Sequence, residues 1–159
     1  MDDRLFIDGL KVLVEASPLR TGRKLEAALV LNPRAGGFSH PRRLAAALQA
    51  LEQALETARS RATRSVDSMA AHGLPWRVRR TEAPRHAGQI AAEFLDEAAM
   101  KQGTEWLVVV ASGDGTSHEF LDTLSRAPEE LRERFIVLRL PMGTGNDGAD
   151  GRTMPEAMA

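Results

Sequence analysis

The segment VVVASGDGTSHEF (residues 108–120) changes from a continuous apolar run to a polar turn, Ser112-Gly113-Asp114-Gly115-Thr116. A short apolar run that stops at glycine is typical of a buried strand, and the apolar spacing that resumes at Phe120 is typical of a helix. A single Asp-Gly pair is enough to turn a chain. A carboxylate held between two glycines therefore indicates that this loop does more than turn.

The same change from apolar strand to glycine-rich loop occurs twice more in the chain. Residues 27–31 lead into Asn32-Pro33-Arg34-Ala35-Gly36-Gly37, and residues 135–140 lead into Pro141-Met142-Gly143-Thr144-Gly145-Asn146-Asp147. A further strand is predicted at residues 76–81. Strands that are apolar throughout, rather than alternating, are typical of a parallel sheet that is covered on both faces.

Helices are predicted between these strands, because apolar side chains recur there at helical spacing. The first begins at Pro41, the second follows Pro84 and ends at Gly103, and the third follows the segment quoted above. Their inward-facing residues are Leu44, Leu48, Leu51 and Leu55, then Ile90, Phe94, Leu95 and Ala98, then Phe120, Leu121 and Leu124. Alternating strands and helices predict a Rossmann-like α/β fold, a three-layer structure with a parallel sheet and helices on both faces.

The composition is that of one ordinary domain, since the chain has 159 residues and 43% of them are hydrophobic. Residues 1–25 are predicted to form an N-terminal strand or hairpin extension, because residues 5–14 alternate loosely, and residues 26–159 form the main domain. The 21 basic and 22 acidic residues give a net charge of −1, so the chain as a whole shows no bias toward nucleic acid or anionic lipid, and we expect no nucleic-acid partner. Cysteine, a signal peptide and a long apolar span are all missing from the sequence, so we expect a soluble, cytoplasmic protein.

The three polar loops should lie at one edge of the predicted sheet, because each follows a parallel strand. Thr81 joins them by the same reasoning. Ligands of such sheets bind beyond the carboxyl ends of the strands, and glycine lets backbone amides approach an oxyanion closely. The sequence therefore predicts a phosphate-binding rim, but these loops alone do not identify the phosphate-containing ligand.

Four ordered motifs resemble the diacylglycerol kinase catalytic domain. They are Asn32-Pro33-x-x-Gly36-Gly37, Thr81-Glu82, Ser112-Gly113-Asp114-Gly115-Thr116-x-x-Glu119 and Gly143-Thr144-Gly145-Asn146-Asp147. That family also contains sphingosine, ceramide and bacterial lipid kinases, and it is distantly similar to NAD kinases and phosphofructokinases. The resemblance covers residues 27–147, and four motifs in this order are far more specific than one glycine loop.

By this resemblance, residues 26–159 are the nucleotide-binding domain of an ATP-dependent lipid kinase, which transfers the γ-phosphate of ATP to a hydroxyl of diacylglycerol or a sphingoid-like lipid. Asp114 is the implied catalytic residue and Mg2+ ligand, because a carboxylate can hold the metal beside the phosphates. The implied nucleotide-binding residues are Asn32, Gly36, Gly37, Thr81, Ser112, Gly113, Gly115, Thr116, Glu119, Gly143, Thr144, Gly145 and Asn146. The implied partners are the nucleotide and a membrane lipid. The enzyme would reach the lipid by associating with the membrane surface as a peripheral protein.

Two features depart from the pattern of that family. Ser112 stands where the family usually has glycine, and with His118-Glu119 it is similar to sphingosine kinases, whereas residues 143–147 are more like diacylglycerol kinases. The β-rich C-terminal domain that supplies the acceptor site and general base in the family is absent from the sequence. We therefore expect either a longer native chain or completion by another chain, such as a second copy in a homo-oligomer.

Two other functions are compatible with part of the pattern. Residues 143–148 fit Gly-x-Gly-x-x-Gly, the fingerprint of a dinucleotide-binding Rossmann module, although that fingerprint normally opens the first βα unit and here follows the last predicted strand. A nucleotide-sensing domain without catalysis is the other alternative. Binding of ATP rather than NAD would distinguish the kinase from the dinucleotide module, and activity with lipid would distinguish it from a sensor.

Three local features have simpler explanations than a ligand site. Thr116 and Glu119 have the spacing of a helix capping box, which can coexist with a catalytic role. His118-Glu119-Phe120-Leu121-Asp122 resembles a zinc motif, but Asp122 replaces the second histidine. Residues 57–90 contain seven arginines but only two acids, Asp67 and Glu82. We expect this positively charged segment to form a solvated surface rather than a lipid-docking one. The arginines are Arg59, Arg61, Arg64, Arg77, Arg79, Arg80 and Arg85.

Overall fold

The computed structural model describes residues 3–15, 24–62 and 74–144. Along these residues the helices and strands follow one another as α1 (Arg4–Glu15), β1 (Leu25–Leu31), α2 (Gly36–Ser39), α3 (Pro41–Ala62), β2 (Trp76–Arg80), α4 (His86–Met100), β3 (Glu105–Ser112), α5 (Asp114–Ser125), α6 (Glu129–Arg132) and β4 (Phe135–Pro141). None of the helices in this part of the chain has both the length and the apolar character needed to cross a bilayer.

The four strands form one parallel sheet in the order β2-β1-β3-β4. The two central strands, β1 and β3, are buried along almost their whole length, as their continuous apolar sequences predict. In the register, Leu31 stands beside both Arg80 and Ala111, and Ser112 stands beside Pro141. The carboxyl ends of all four strands therefore meet at one edge.

Helices cover both faces of the sheet. On one face α1 and α3 pack over Leu29, Leu31 and Val109. On the other face α4 and α5 pack over Val30 and Val108. The three-layer α/β fold predicted from the sequence is confirmed. Two helical faces predicted from spacing are also confirmed, since Leu44 and Leu51 of α3 and Ile90 and Phe94 of α4 are buried.

The predicted N-terminal strand or hairpin is wrong, because residues 4–15 form helix α1. Its buried side chains, Phe6, Ile7, Leu10 and Val14, are spaced by one, three and four positions, which places them on one side of a helix. The loose alternation of residues 5–14 suggests a strand, whereas the spacing of these buried residues is that of a helix. The Phe6 ring packs edge-on against Phe38 of α2 with centroids 5.4 Å apart, so α1 belongs to the main core.

Three arginines of the arginine-rich segment pair with acids that are distant in the sequence, whereas Arg64 and the side chains of Arg59 and Arg61 lie outside the described residues. Arg77 pairs with Glu26 and Glu97, and Arg79 pairs with Glu93. Arg80 pairs with Asp3, and the hydrogen bonds that it donates to the Asp3 carboxylate raise the pKa of Arg80. The charge counted from local sequence therefore overstates the positive charge of this face, which favours the solvated-surface interpretation.

A charged cluster lies at the edge of the sheet formed by the amino ends of the strands, opposite the predicted rim. Glu26 bonds both Arg77 at 3.0 Å and Lys101 at 2.6 Å. Both cations also lie over the Trp106 ring, at 5.1 Å and 5.7 Å from its centroid. Trp106 in turn stacks on Phe94 and Phe135. This edge is therefore a stabilising region of the fold.

Candidate functional site

The strand order creates a crevice between β1 and β3. The chain leaves β1 toward α3 on one face of the sheet, and it leaves β3 toward α5 on the other face. Such a reversal separates the two connecting loops at the carboxyl edge, where ligands of open α/β sheets bind. The motifs after β1 and β3 are therefore the residues that border this crevice.

Backbone hydrogen bonds extend the sheet by one residue past the strand ends. The amides of Thr81, Asn32 and Met142 donate to Leu31, Ala111 and Ser112, at 2.9, 3.2 and 3.1 Å. Thr81 is buried at this position. The structure thus brings the predicted motifs after β1, β2, β3 and β4 to the same edge.

Asn32 joins the two sides of the crevice. Its Nδ2 atom donates a 2.9 Å hydrogen bond to Thr116 Oγ1 in α5, and its Oδ1 atom accepts one of 2.9 Å from the amide of Arg34. The side chain therefore both fixes its own loop and holds that loop against the start of α5.

The turn after β3 is shorter than the sequence predicts. Ser112 still belongs to β3, Gly113 is the N-cap, and Asp114 begins α5, so Gly113 alone connects them. The proposed capping box is wrong, because Thr116 lies inside the first helical turn and its hydroxyl accepts the bond from Asn32. Glu119 lies half-buried in the second turn. The tight turn places the α5 N-terminus directly at the sheet edge.

Ser112 uses its hydroxyl within this turn. Ser112 Oγ and Ser117 Oγ are 2.9 Å apart and share a hydrogen bond, and both side chains are buried. Ser112 Oγ also lies 3.1 Å from the carbonyl oxygen of Gly113, to which it can donate. Sequence reasoning missed Ser117, whose contact with Ser112 arises only once the strand turns sharply into the helix. A glycine at position 112 could not make these bonds.

Glycines allow the three loops to touch at this edge. The amide of Gly37 donates to Met142 O at 2.7 Å, and a Cβ at position 37 would lie 3.0 Å from that oxygen. A Cβ at Gly113 would lie 3.3 Å from Gly143 Cα. By contrast, nothing lies within 4 Å of a Cβ built at Gly115, which is exposed. Gly37 and Gly113 therefore serve loop packing, whereas packing does not explain Gly115.

The N-terminus of α5 can hold an anion. The amides of a first helical turn have no carbonyl partner within the helix, and the helix dipole is positive there. No side chain of the N-cap residue closes this end, because that residue is Gly113. The open position at Gly115 leaves space for a group to approach these amides. An oxyanion such as a phosphate fits this geometry.

Asp114 is the acid of this first turn and is half-buried. Within the described ranges, no cluster of three or more His, Asp or Glu residues could hold a metal by itself. Mg2+ commonly takes one or two carboxylates and completes its shell with phosphate oxygens and water. A single carboxylate beside an anion site fits that mode of binding. Gly145 and Asn146 lie outside the described residues, so their assignment stays a prediction.

Comparison with known proteins adds to this geometry. The family model of the diacylglycerol kinase catalytic domain matches residues 26–158. The chain is also similar to a crystal structure from Bacillus anthracis str. Sterne, of a protein provisionally described as a diacylglycerol kinase, with 20% identity and a TM-score of 0.52. That similarity covers 89% of this chain and 40% of the other, so the chain spans about two fifths of that protein. No curated protein matches the chain with significant similarity.

Proposed function

Because this chain belongs to the diacylglycerol kinase catalytic domain family, we propose that it binds ATP as the nucleotide-binding part of a lipid kinase. The observation that carries the proposal is the meeting of three glycine-containing loops at the open N-terminus of α5. Phosphoryl transfer depends mainly on positioning and on stabilising the charge of the phosphates, and a rim of backbone donors can do both.

In this proposal, the first-turn amides at Gly115 and Thr116 hold a phosphate group of ATP. Asn32 acts indirectly, because its bond to Thr116 keeps the loop after β1 at a fixed distance from those amides. Ser112 also acts indirectly, because the hydrogen bond between its hydroxyl and that of Ser117 fixes the turn from β3 into α5. The fold thus prepares the phosphate site before the ligand arrives, which lowers the cost of ordering it on binding.

Asp114 would hold Mg2+ together with phosphate oxygens. When bound, the metal would neutralise the charge that develops on the transferred phosphate. Asp114 supports this role because it belongs to the same helical turn as the proposed phosphate donors.

The acceptor in this proposal is a membrane lipid hydroxyl, of diacylglycerol or a sphingoid-like lipid. The residues described here supply the nucleotide half of the site. A β-rich acceptor domain of the kind that the family resemblance implies would hold the hydroxyl in line, supply the general base and meet the membrane. Correct positioning of an acceptor can contribute about 7–11 kcal/mol of a reaction barrier. Phosphoryl transfer to the lipid should therefore depend on such a domain.

Calorimetry with ATP, with and without Mg2+, and with NAD tests the proposed ligand. We expect Mg2+-dependent binding of ATP and no binding of NAD. Binding of NAD but not ATP would contradict the proposal and favour a dinucleotide-binding module.

A radiolabelled-ATP assay with mixed micelles of diacylglycerol or sphingosine tests the reaction, on this chain and on any longer native form. We expect transfer by the longer form and none by the 159 residues. Lipid phosphorylation by this chain alone would place the acceptor site and base within it. A longer form that binds ATP but phosphorylates neither lipid would favour nucleotide sensing.

A further inference from the structure

The space beside Gly36 is occupied by the side chain of Arg43. A Cβ built at Gly36 would lie 3.0 Å from Arg43 Nη1, 3.1 Å from Thr144 Cγ2 and 3.9 Å from His40 Cδ2. Arg43 comes from the first turn of α3, and Thr144 comes from the loop after β4. The absence of a side chain at Gly36 therefore lets a guanidinium reach the rim of the candidate site.

Among the described residues, Arg43 lacks the acidic partner that four other arginines have. Arg77, Arg79, Arg80 and Arg126 each have a carboxylate within ion-pairing distance. In the described part of the chain, no carboxylate pairs with Arg43, and its residue is exposed. A guanidinium is a planar donor that binds phosphate through two parallel hydrogen bonds. Its charge is therefore available to an anion at the rim.

The described part of the loop after β4 contacts both the α5 N-terminus and the surroundings of Arg43. Gly143 of this loop lies against Gly113, the N-cap of α5, while Thr144 lies with Arg43 beside Gly36. Arg43 and the α5 amides therefore border neighbouring residues of the same loop. A ligand with more than one phosphate group could place one group at each position.

Resting on the proposed nucleotide site, we propose that Arg43 binds a second phosphate group of the nucleotide, distinct from the one held by the first turn of α5. Arg43 thereby makes the site selective for nucleoside di- and triphosphates over monophosphates. The selectivity follows because a monophosphate held at α5 has no second phosphate group for Arg43 to bind.

The test is calorimetry on the full 159-residue chain with ATP, ADP and AMP, each with Mg2+, for the wild type and three variants. The matched control is Arg42→Gln, because Arg42 is the neighbouring exposed arginine of α3 and does not supply any of the three atoms nearest to a Cβ at Gly36. We expect Arg43→Gln to weaken ATP binding about tenfold or more, which is the range of a charge-assisted hydrogen bond. Binding of AMP should change less than about twofold by the same reasoning, and so should ATP binding by Arg42→Gln.

Arg43→Lys separates charge from geometry, since lysine keeps the charge but lacks the two-pronged donor. We expect an ATP affinity between those of the wild type and Arg43→Gln. Equal losses for Arg43→Gln and Arg42→Gln would reduce the effect to general surface charge and overturn the inference. Equal losses for ATP and AMP would also overturn it. Unchanged ATP binding by Arg43→Gln would overturn this inference and leave the proposed function intact. If the wild type binds none of the three nucleotides, the proposed function itself is wrong.

Discussion

Asn32 Nδ2 donates a 2.9 Å hydrogen bond to Thr116 Oγ1, although the two residues are 84 positions apart in the sequence. The bond crosses the crevice between the ends of β1 and β3. The distance between the two loops that border the candidate site is therefore set by a side-chain contact as well as by the sheet.

The first prediction concerns that bond. We expect Thr116→Val and Asn32→Ala each to lower the free energy of unfolding, by about 1–2 kcal/mol. Their effects should not add, because either change removes the shared bond, and a coupling of about 0.5–1.5 kcal/mol is expected. Urea denaturation of the two single variants and the double variant measures it. Additive effects would show that the contact contributes nothing in solution.

The second prediction contrasts two glycines of the rim. Gly37→Ala should destabilise the fold by about 1–3 kcal/mol, since the new Cβ would press against the Met142 backbone, which cannot turn aside. Gly115→Ala should stabilise it by about 0.5–1 kcal/mol, because alanine is the better helix former and the space there is open.

The same pair of variants distinguishes packing from ligand approach. Gly115→Ala should weaken ATP binding despite its higher stability, because a methyl group would enter the space through which a phosphate reaches the amides. Thermal melting and calorimetry on both variants give the two readouts. If Gly115→Ala binds ATP as well as the wild type, Gly115 has no part in the site.

The third prediction concerns Asp114. Asp114→Asn should keep the fold, with a stability loss of about 0.3–1 kcal/mol from the missing charge at the helix N-terminus. It should remove most of the gain in ATP affinity that Mg2+ provides. The control is Asp122→Asn on the same helix, where the carboxylate is exposed and pairs with Arg126. Identical Mg2+ dependence in both variants, measured by calorimetry, would remove Asp114 from the site.

The fourth prediction concerns the opposite edge of the sheet. Glu26→Gln should cost about 1–3 kcal/mol, because the Glu26 side chain is only 16% exposed and bonds two cations. The exposed pair of Arg79 with Glu93 provides the control, and Glu93→Gln should cost less than about 1 kcal/mol. Guanidinium chloride also screens charges, so urea is the suitable denaturant. A smaller loss for Glu26→Gln than for Glu93→Gln would contradict this account.

The sheet was predictable because its signal is local. The apolar runs of β1 and β3 have no polar alternation, so they had to be buried on both faces, and every glycine-rich motif had to follow a strand. That reasoning needs no knowledge of which residues touch. It correctly placed Asn32, Thr81 and Gly113 at one edge.

The remaining contacts depend on residues that meet only in the folded chain. Nothing near Arg43 in the sequence indicates that it reaches Gly36, and nothing near Arg77 indicates that Glu26 neutralises it. Ser117 was missed for the same reason. The predicted capping box is wrong because the pattern at Thr116 and Glu119 is equally compatible with a helix that starts three residues earlier, at Asp114 rather than Ser117.

Helix α1 has a consequence for where the folding unit begins. The family similarity starts at residue 26, yet Phe6 packs on Phe38, and Gly9 allows Leu51 of α3 to approach so closely that a Cβ there would lie 2.7 Å from its Cδ2. A boundary at residue 26 would thus cut through a continuous core. We expect the protected amides of α1 and α3 to exchange hydrogen through the same global opening, so that the first helix melts with the kinase-like domain as one cooperative unit.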